Sequence, residues 1–446
     1  MIRALAICAT MAVLAACSNS QKIDPSQQVG PNPLLPKVNE PILLPRANLP
    51  PVVGWKEGEA PGVPAGFRIQ PMATGLMSPR NVYPLANGDI LVVQALKELK
   101  EPVERLKNPF FDLIFGAAHK TSKAGPTNRV TLLRDADGDG TPELQSVLLD
   151  HLNSPFGIVL VGSDLYVAET DKIVRYPFTP GQTRITARGQ KVVDLPGGLI
   201  NHHWTKSLTA SPDGSKLYVG VGSNSNVGER GQEAETNRAA IWEVDPKTGS
   251  FGIFASGIRN PNGLTFYPGS NTLWAVVNER DELGSNLVPD YLTSVPRGAY
   301  FGWPYSYYGQ HVDPRMRPQR PDLVARAIRP DYALSSHVAP LGLAFYTGSS
   351  FPPQFRGGAF VGEHGSWNRA ELNGYKVVYI RFAGGRPVGA PMTFVGNFLN
   401  SEGKVRGRPV GVAVDRTGAL IVADDVGNVV WRVSYAGAGS GTERQR

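Results

Sequence analysis

One pattern recurs six times along this chain and constrains its fold more than anything else. A small-residue or proline turn leads into an apolar strand, then a Gly/Asn/Asp turn, then a second apolar strand. The copies are residues 78–94 (SPRNVYPLANGDILVVQ), 154–170 (SPFGIVLVGSDLYVAET), 203–224 (HWTKSLTASPDGSKLYVGVGSN), 260–280 (NPNGLTFYPGSNTLWAVVNER), 339–364 and 408–425 (RPVGVAVDRTGALIVADD). Repetition at tens of residues marks an array in which no copy can bury its apolar face alone. Strand-rich copies with no helical period between them specify blades closed around an axis. Successive copies begin about 50 to 80 residues apart, which is room for four strands and their loops. The expected fold is all-β, a six-bladed β-propeller with four-stranded blades. The last copy offers three strands, 410–414, 419–423 and 429–435, so residues 67–73 are expected to supply the fourth and lock the ring.

At 446 residues the length alone would permit two or three domains, whereas the repeats argue for one closed body. Gly 50 and Pro 38, with 41% hydrophobic and 19% charged residues, fit a turn-rich all-β protein. The net charge of +7 is scattered, with no basic run or basic-aromatic helix, which argues against nucleic-acid binding.

Arg3 precedes an apolar run over residues 4–16 that ends Leu14-Ala15-Ala16-Cys17-Ser18. This is a secretory signal, too short to span a membrane. Small residues ending at a cysteine resemble the bacterial lipobox, which implies cleavage before Cys17 and lipidation of it, and Ser18 points to the outer membrane. The expected order is a signal peptide at 1–16, lipidated Cys17 with an extended Pro-rich linker to 60, the propeller at 61–436, and a disordered tail at 437–446. The protein is expected in the cell envelope or periplasm, touching a membrane only through its lipid anchor. Cys8 and Cys17 are the only cysteines, so a mature chain can form no internal disulfide. No Cys-x-x-Cys-His occurs, which excludes a covalently attached c-type haem. A redox role would therefore pass electrons to an external acceptor, a quinone or a cytochrome. Two insertions interrupt the pattern: 97–123, with a helical look, and 281–329, rich in Tyr, Trp, Pro and Arg. Long loops on a rigid scaffold carry lids and substrate contacts.

In a propeller, the loop entering each innermost strand and the loop leaving the second strand open on the same face. The entering positions are Arg80, Asn153, His202-His203, Arg259-Asn260, His337, and Arg406 with Arg408. The leaving positions are Gln94, Glu169, Ser223-Asn224, Asn278 to Asp281, Glu363-His364 and Asp424-Asp425. Arginine forks bind planar, multiply carboxylated or phosphorylated ligands bidentately. The acids offer oxygen to a hard cation such as calcium. His203 is the candidate for proton transfer, since a neutral imidazole takes a proton near neutral pH. A metal shared by His202 and His203 is disfavoured if the two lie on a strand, where neighbours face opposite ways. Asp135, Asp137 and Asp139, with Gly140, resemble the front of a calcium loop, but Ser146 falls where an EF-hand needs glutamate. Asp-Gly pairs also make hairpin turns, so a plain turn and a structural calcium site both remain open.

Residues 201–226, 257–266 (GIRNPNGLTF), 277–293 (VNERDELGSNLVPDYLT), Gly302-Trp303-Pro304 and 406–412 (RGRPVGV) resemble the pyrroloquinoline quinone (PQQ)-dependent glucose/sorbosone dehydrogenases, with the bacterial sorbosone-dehydrogenase-like branch nearest. The resemblance covers the whole body and implies a six-bladed propeller holding PQQ over its channel. It implies oxidation of an aldose, or of a sorbosone-like aldehyde, by hydride transfer to the quinone. By this resemblance His203 is the general base, and Arg259, Asn260 and His337 lie at the cofactor. Arg406 and Arg408 pair with the cofactor carboxylates. The family holds Ca2+ beside the quinone on backbone carbonyls of a Gly-Pro pair. Here Glu279-Arg280 stands in that place, so the backbone there or the Glu279 side chain is the expected ligand. The family's sugar-side glutamine has no counterpart nearer than Asn153, and its cofactor lysine none around Trp367-Asn368-Arg369. Two other readings of such a ring are a calcium-dependent lactonase-like hydrolase, using Glu169, Asn224, Asn278 and Glu363, and a non-catalytic envelope scaffold.

Overall fold

The computed structural model describes residues 23–38, 47–96, 127–198 and 200–437. Six four-stranded antiparallel sheets follow one another around an axis. Blade 1 is Pro79–Pro84, Ile90–Gln94, Arg129–Arg134 and Leu144–Leu149; blade 2 is Gly157–Val161, Asp164–Ala168, Lys172–Pro177 and Gln190–Asp194. Blade 3 is Leu208–Ala210, Leu217–Val221, Ala240–Val244 and Phe251–Ser256; blade 4 is Pro261–Phe266, Leu273–Val277, Pro289–Ser294 and Tyr332–Ser336. Blade 5 is Pro340–Phe345, Ala359–Glu363, Lys376–Ala383 and Arg386–Val395. Blade 6 takes Pro409–Val414, Leu420–Asp424 and Val429–Tyr435 from the end of the chain and Phe67–Ala73 from near its start. That pairing, with Phe67 opposite Tyr435 and Ile69 opposite Val433, closes the ring as the repeat count required.

The second strands (ILVVQ, LYVGV, LWAVV, AFVGE, LIVAD in blades 1, 3, 4, 5 and 6) are buried at every residue. Both their faces pack against neighbouring blades, which is why they read as continuous apolar runs and not as alternation. One apolar cluster fills each gap between consecutive blades. Val159, Tyr166 and Ala168 meet Leu208, Val219 and Trp242 between blades 2 and 3, and Trp274, Val276 and Leu292 meet Leu343, Val361 and Val378 between blades 4 and 5. Each such side chain stabilises the ring by about 1.5–3 kcal/mol on burial. A glycine at the fourth position of four copies lets the innermost strands pack closely. A Cβ on Gly157 would strike Lys206 and Leu208, one on Gly342 would strike Val410 and Val412, and one on Gly411 would strike Asn81. Below the rim, Phe156, Leu341 and Val410, from three different blades, form a buried apolar cluster of their own.

Two features depart from expectation. Pro289–Ser294 lies inside the stretch taken for an insertion but is the third strand of blade 4, so the inserted part proper is 295–331. It carries the short ribbon Ser306–Tyr307/His311–Val312 and the helical turn Pro321–Val324. The expected linker is pinned to the body wherever it is described. Val29 and Gly30 pair with Leu334 and Ala333 as a fifth strand on blade 4, Val52 bridges to Val405, and Gly62 bridges to Gly396. The expected signal peptide, Cys17, the 97–123 insertion and residues 438–446 lie outside the described residues. Among the described residues, no helix is long and apolar enough to cross a membrane.

Candidate active site

Each second strand ends in, or just before, a polar residue on one face of the ring: Gln94, Glu169, Ser223, Asn278, Glu363 and Asp424. The same face receives the loops that enter the innermost strands. His203 lies in such a loop, five residues before its strand starts at Leu208. Its Nδ1 sits 2.8 Å from the Ser223 carbonyl oxygen and 3.1 Å from Ser223 Oγ, whose own proton goes to the Ser225 carbonyl at 2.7 Å. A carbonyl only accepts, so Nδ1 carries the proton and Nε2 is left as a lone pair. Burial pushes the imidazole pKa well below its usual value, and the charges of Arg259, His202 and Lys206 push it the same way. The ring is therefore a neutral base with its basic nitrogen preset.

His202 lies edge-on to His203, ring centres 4.6 Å apart. The opposite-face argument does not apply to the pair, because residues 201–207 are not a strand. Under His203, a Cβ on Gly222 would collide with His203 Cβ and the Asn260 carboxamide oxygen. Only glycine allows that approach. Asn260 Oδ1 is buried and has no hydrogen-bond partner. Lys206, fully buried, points its ammonium at the carbonyl oxygens of His203 (3.3 Å) and Trp204 (3.2 Å), tying down the loop.

Two charged networks flank His203. In the first, all five N–H donors of Arg259 are committed to the protein: Nε to Asn226 O (3.2 Å), Nη1 to Asn278 O (3.3 Å) and Glu279 O (2.6 Å), and Nη2 to Asn226 Oδ1 (3.0 Å) and Asp281 Oδ2 (3.2 Å). Asp281 also meets His337 Nδ1 at 3.3 Å, and His337 Nε2 faces the Gly284 carbonyl at 3.0 Å. With acceptors at both nitrogens, His337 is an imidazolium. Burial alone would lower its pKa, but the bond to Asp281 and that carboxylate's charge outweigh burial and raise it. Burial likewise opposes ionisation of Asp281, and His337 and Arg259 reverse that, holding it below the usual carboxylate range. Trp303 from the insertion donates to Asn226 O at 2.9 Å and roofs this network.

In the second network Arg80 pairs with Asp425, and Asp425 accepts from His364 Nε2 at 3.0 Å. The Arg80 guanidinium lies over the Trp204 ring, 5.3 Å from its centre, which joins this network to the His203 loop. Arg408 lies over the Tyr375 ring (4.9 Å) and donates from Nη2 to its hydroxyl at 3.2 Å; that is the only side-chain hydrogen bond described for it. Arg406 donates to Glu59 at 3.2 Å.

The six predicted residues around the cofactor thus divide. His203, Asn260 and Arg408 present unengaged polar atoms, and Arg406 is held by a carboxylate of the N-terminal segment. Arg259 and His337 have no donor left for a cofactor and instead brace the rim. Of the expected calcium ligands, the Glu279 carbonyl and side chain are both engaged within the protein. The Glu279 carbonyl is taken by Arg259, its Oε1 accepts the Arg280 N–H at 2.9 Å, and the Arg280 guanidinium is buried 3.2 Å from Asp313. Burial raises the Glu279 carboxyl to about 7, against the pull of Arg259. All four ligands drafted for a hydrolytic cation also have partners: Glu169 with Lys172 (2.9 Å), Asn278 with Pro340 O (2.7 Å), Asn224 with the His202 N–H (3.0 Å), and Glu363 with Lys376 (3.9 Å).

Asp135, Asp137 and Asp139 lie in the turn joining the two outer strands of blade 1, on the hairpin face opposite His203. Among the described residues they form, with Glu143, the one carboxylate group whose ligand atoms all lie within 4.8 Å of one another. The same acids accept backbone N–H groups of their own turn, Gly138 to Asp135 at 2.8 Å and Thr141 to Asp139 at 2.7 Å. Glu143 stands at the ninth position of the loop and not at the twelfth, where an EF-hand carries its glutamate, so the motif did not single it out. Asn226, Trp303, Tyr375 and Trp55 were also missed. They fall outside the repeated positions, and only an aromatic standing alone in a Pro/Gly stretch marked Trp55.

A profile for glucose/sorbosone dehydrogenases matches residues 168–426. A protein of unassigned function from Borreliella burgdorferi is 30% identical over 294 residues, covering 64% of this chain and 76% of that protein. A PQQ-dependent pyranose dehydrogenase from Coprinopsis cinerea is 23% identical over 358 residues, which is 71% of this chain and 44% of the longer relative. The solved holo PQQ domain of the Coprinopsis cinerea pyranose dehydrogenase shares the fold, with a TM-score of 0.66 at 20% identity, covering 85% of this chain and 98% of that one. So does a Trichoderma reesei carbohydrate-active enzyme of family AA12, with a TM-score of 0.68 at 18% identity over 84% and 98%. The sequence and structural relatives thus include PQQ-dependent sugar dehydrogenases. With the profile spanning more than half of its length, the chain belongs to the glucose/sorbosone dehydrogenase family.

Proposed function

We propose that the protein is a PQQ-dependent dehydrogenase that oxidises an aldose or a related sugar aldehyde in its hydrated form, with His203 as general base. The observation that carries this reading is the pairing of a preset Nε2 lone pair on His203 with the buried, unpartnered Asn260 oxygen beside it, over the Gly222 gap. The residues fit the cofactor. Arg408, with donors to spare, would hold a carboxylate of it, and Asn260 Oδ1 would accept from a polar group. When bound, PQQ supplies the two-electron acceptor that takes hydride from the substrate carbon. His203 Nε2 takes the hydroxyl proton of the same carbon, and the Ser223 carbonyl stabilises the imidazolium that forms. The Arg259–Asp281–His337 and Arg80–Asp425–His364 networks hold the rim rigid, and the first, with two cations to one carboxylate, supports an anionic ligand. No role is derived for calcium at Glu279 and Arg280.

The proposal extends to the envelope: the Leu-Ala-Ala-Cys17 sequence supports lipidation at Cys17, and the lack of Cys-x-x-Cys-His supports an external electron acceptor. The test is reconstitution of purified apoprotein with PQQ, followed by reduction of an artificial acceptor over a panel of aldoses and sorbosone. Turnover that needs PQQ and is lost in His203→Gln is expected. Apoprotein that fails to bind PQQ would sink the reading; turnover unaffected by His203→Gln would sink the base assignment alone.

A further inference from the structure

We infer that the N-terminal segment over residues 51–62 is a working part of the cofactor site, with Trp55 as the positioning residue that sets the Arg408 fork. The inference rests on the PQQ reading above and deepens it.

The segment is built into the strand-to-strand connection that leads to both arginines. Val53 N donates to Val405 O and Val405 N donates to Pro51 O, each at 2.8 Å, immediately before Arg406. Further along, Gly62 and Gly396 exchange both backbone hydrogen bonds, at 3.0 and 2.9 Å. Between these anchors, Trp55 enters the end of blade 6. Its ring lies edge-on to Phe398 (5.6 Å) and Trp431 (5.3 Å), and its Nε1 donates to Asp424 Oδ2 at 2.7 Å.

Asp424 is fully buried and accepts four bonds. Oδ1 takes the backbone N–H of Arg408 at 2.7 Å and of Gly427 at 2.8 Å, and Oδ2 takes Trp55 at 2.7 Å and Trp431 at 3.2 Å. Gly407 and Gly427 are glycines because a Cβ on either would collide with this carboxylate. The carboxylate thus fixes the backbone on which Arg408 stands, and the shorter of its two ring N–H bonds comes from a residue 353 positions earlier in the chain than Arg408 (408 − 55). Without that donor, a buried carboxylate loses a charge-assisted bond and must re-aim or take up a proton. Re-aiming breaks the bond from the Arg408 N–H to Oδ1, and protonation weakens it; either loosens the backbone that holds the guanidinium over the Tyr375 ring. The segment touches the second arginine as well: Glu59 accepts from Arg406 at 3.2 Å, and the Arg406 guanidinium lies 5.9 Å from the Trp55 ring centre.

The test is the equilibrium affinity for PQQ, read by absorbance titration of full-length protein. Trp55→Phe keeps the ring and removes only the N–H. It is expected to weaken PQQ binding roughly tenfold, while the substrate KM at saturating PQQ stays at the wild-type value. In an Arg408→Ala background, Trp55→Phe is expected to have no further effect, because the fork it positions is gone. Wild-type affinity in Trp55→Phe, or equal losses in both backgrounds, overturns the inference, the second by assigning Trp55 a general structural role. Thermal melts of the four proteins establish that all are folded at the titration temperature. Failure of the wild-type protein to bind PQQ would overturn the reading of the site, and this inference with it.

Discussion

The Ser223 carbonyl oxygen accepts the Nδ1 proton of His203 at 2.8 Å, so the tautomer of the proposed base is set by backbone and not by a carboxylate. Replacing the Ser223 side chain leaves that carbonyl in place. Ser223→Ala is expected to change kcat by less than about threefold, whereas His203→Gln is expected to lower it by about 10²–10⁴. Steady-state kinetics on the two variants check this, and a collapse of kcat in Ser223→Ala would show that Oγ, not the carbonyl, orients the ring.

The same environment fixes the pH dependence. Burial and the Arg259 charge hold His203 well below its usual pKa, so the base stays unprotonated through neutral and mildly acidic pH. The kcat/KM profile of the PQQ-loaded enzyme is expected to stay flat from pH 8 down through about 6.5, the free-histidine value, with its acid limb below that. An acid limb centred at or above the free-histidine value would contradict a buried, arginine-flanked imidazole.

Arg259 and Arg408 are expected to respond in opposite ways to lysine. Lysine cannot reproduce the five-donor fan with which Arg259 ties Asn226, Asn278, Glu279 and Asp281 together. Arg259→Lys should cost about 1–3 kcal/mol in denaturant unfolding, as buried carbonyl and carboxamide acceptors lose their donors. Arg408→Lys should leave stability within about 0.5 kcal/mol and weaken PQQ binding about tenfold by removing a bidentate fork.

Stability should also follow the His337–Asp281 pair. The folded-state pKa of His337 is raised, so its contribution is fully present below the unfolded value near 6.5 and is lost as pH rises through the folded value. Asp281 is depressed, so its contribution is present above the ordinary aspartate value and lost as pH falls through the folded one. The Tm difference between wild type and His337→Asn is therefore expected to be largest near pH 6 and to shrink toward pH 9. A difference that does not change with pH would mean that His337 is neutral in the folded protein.

Gly222→Ala places a methyl group where His203 Cβ and the Asn260 carboxamide already meet. Misplacing a base by about 1 Å can cost on the order of 100-fold in rate. Kinetics of this variant, with PQQ affinity measured alongside, should show a kcat loss of that size.

The sequence by itself determined the ring. Six copies of one unit that cannot bury its own face specify six blades, and the shortfall in the last copy specified the closing strand at Phe67–Ala73. The polar residues recurring at the entry to the inner strands and at the exit from the second strands located the face on which chemistry could gather, because positions in a repeat map onto positions around an axis. What the repeats could not say is which of those polar groups engage one another and which stay open to a ligand. Arg259 and Arg408 look alike in sequence, yet one is consumed by carbonyls of blades 3 and 4 and the other is left nearly free. Hydrogen-bond partners are set by distances between loops far apart in the chain. For the same reason, only the tertiary structure could turn Trp55, in an unpatterned proline-rich stretch, into a donor to Asp424.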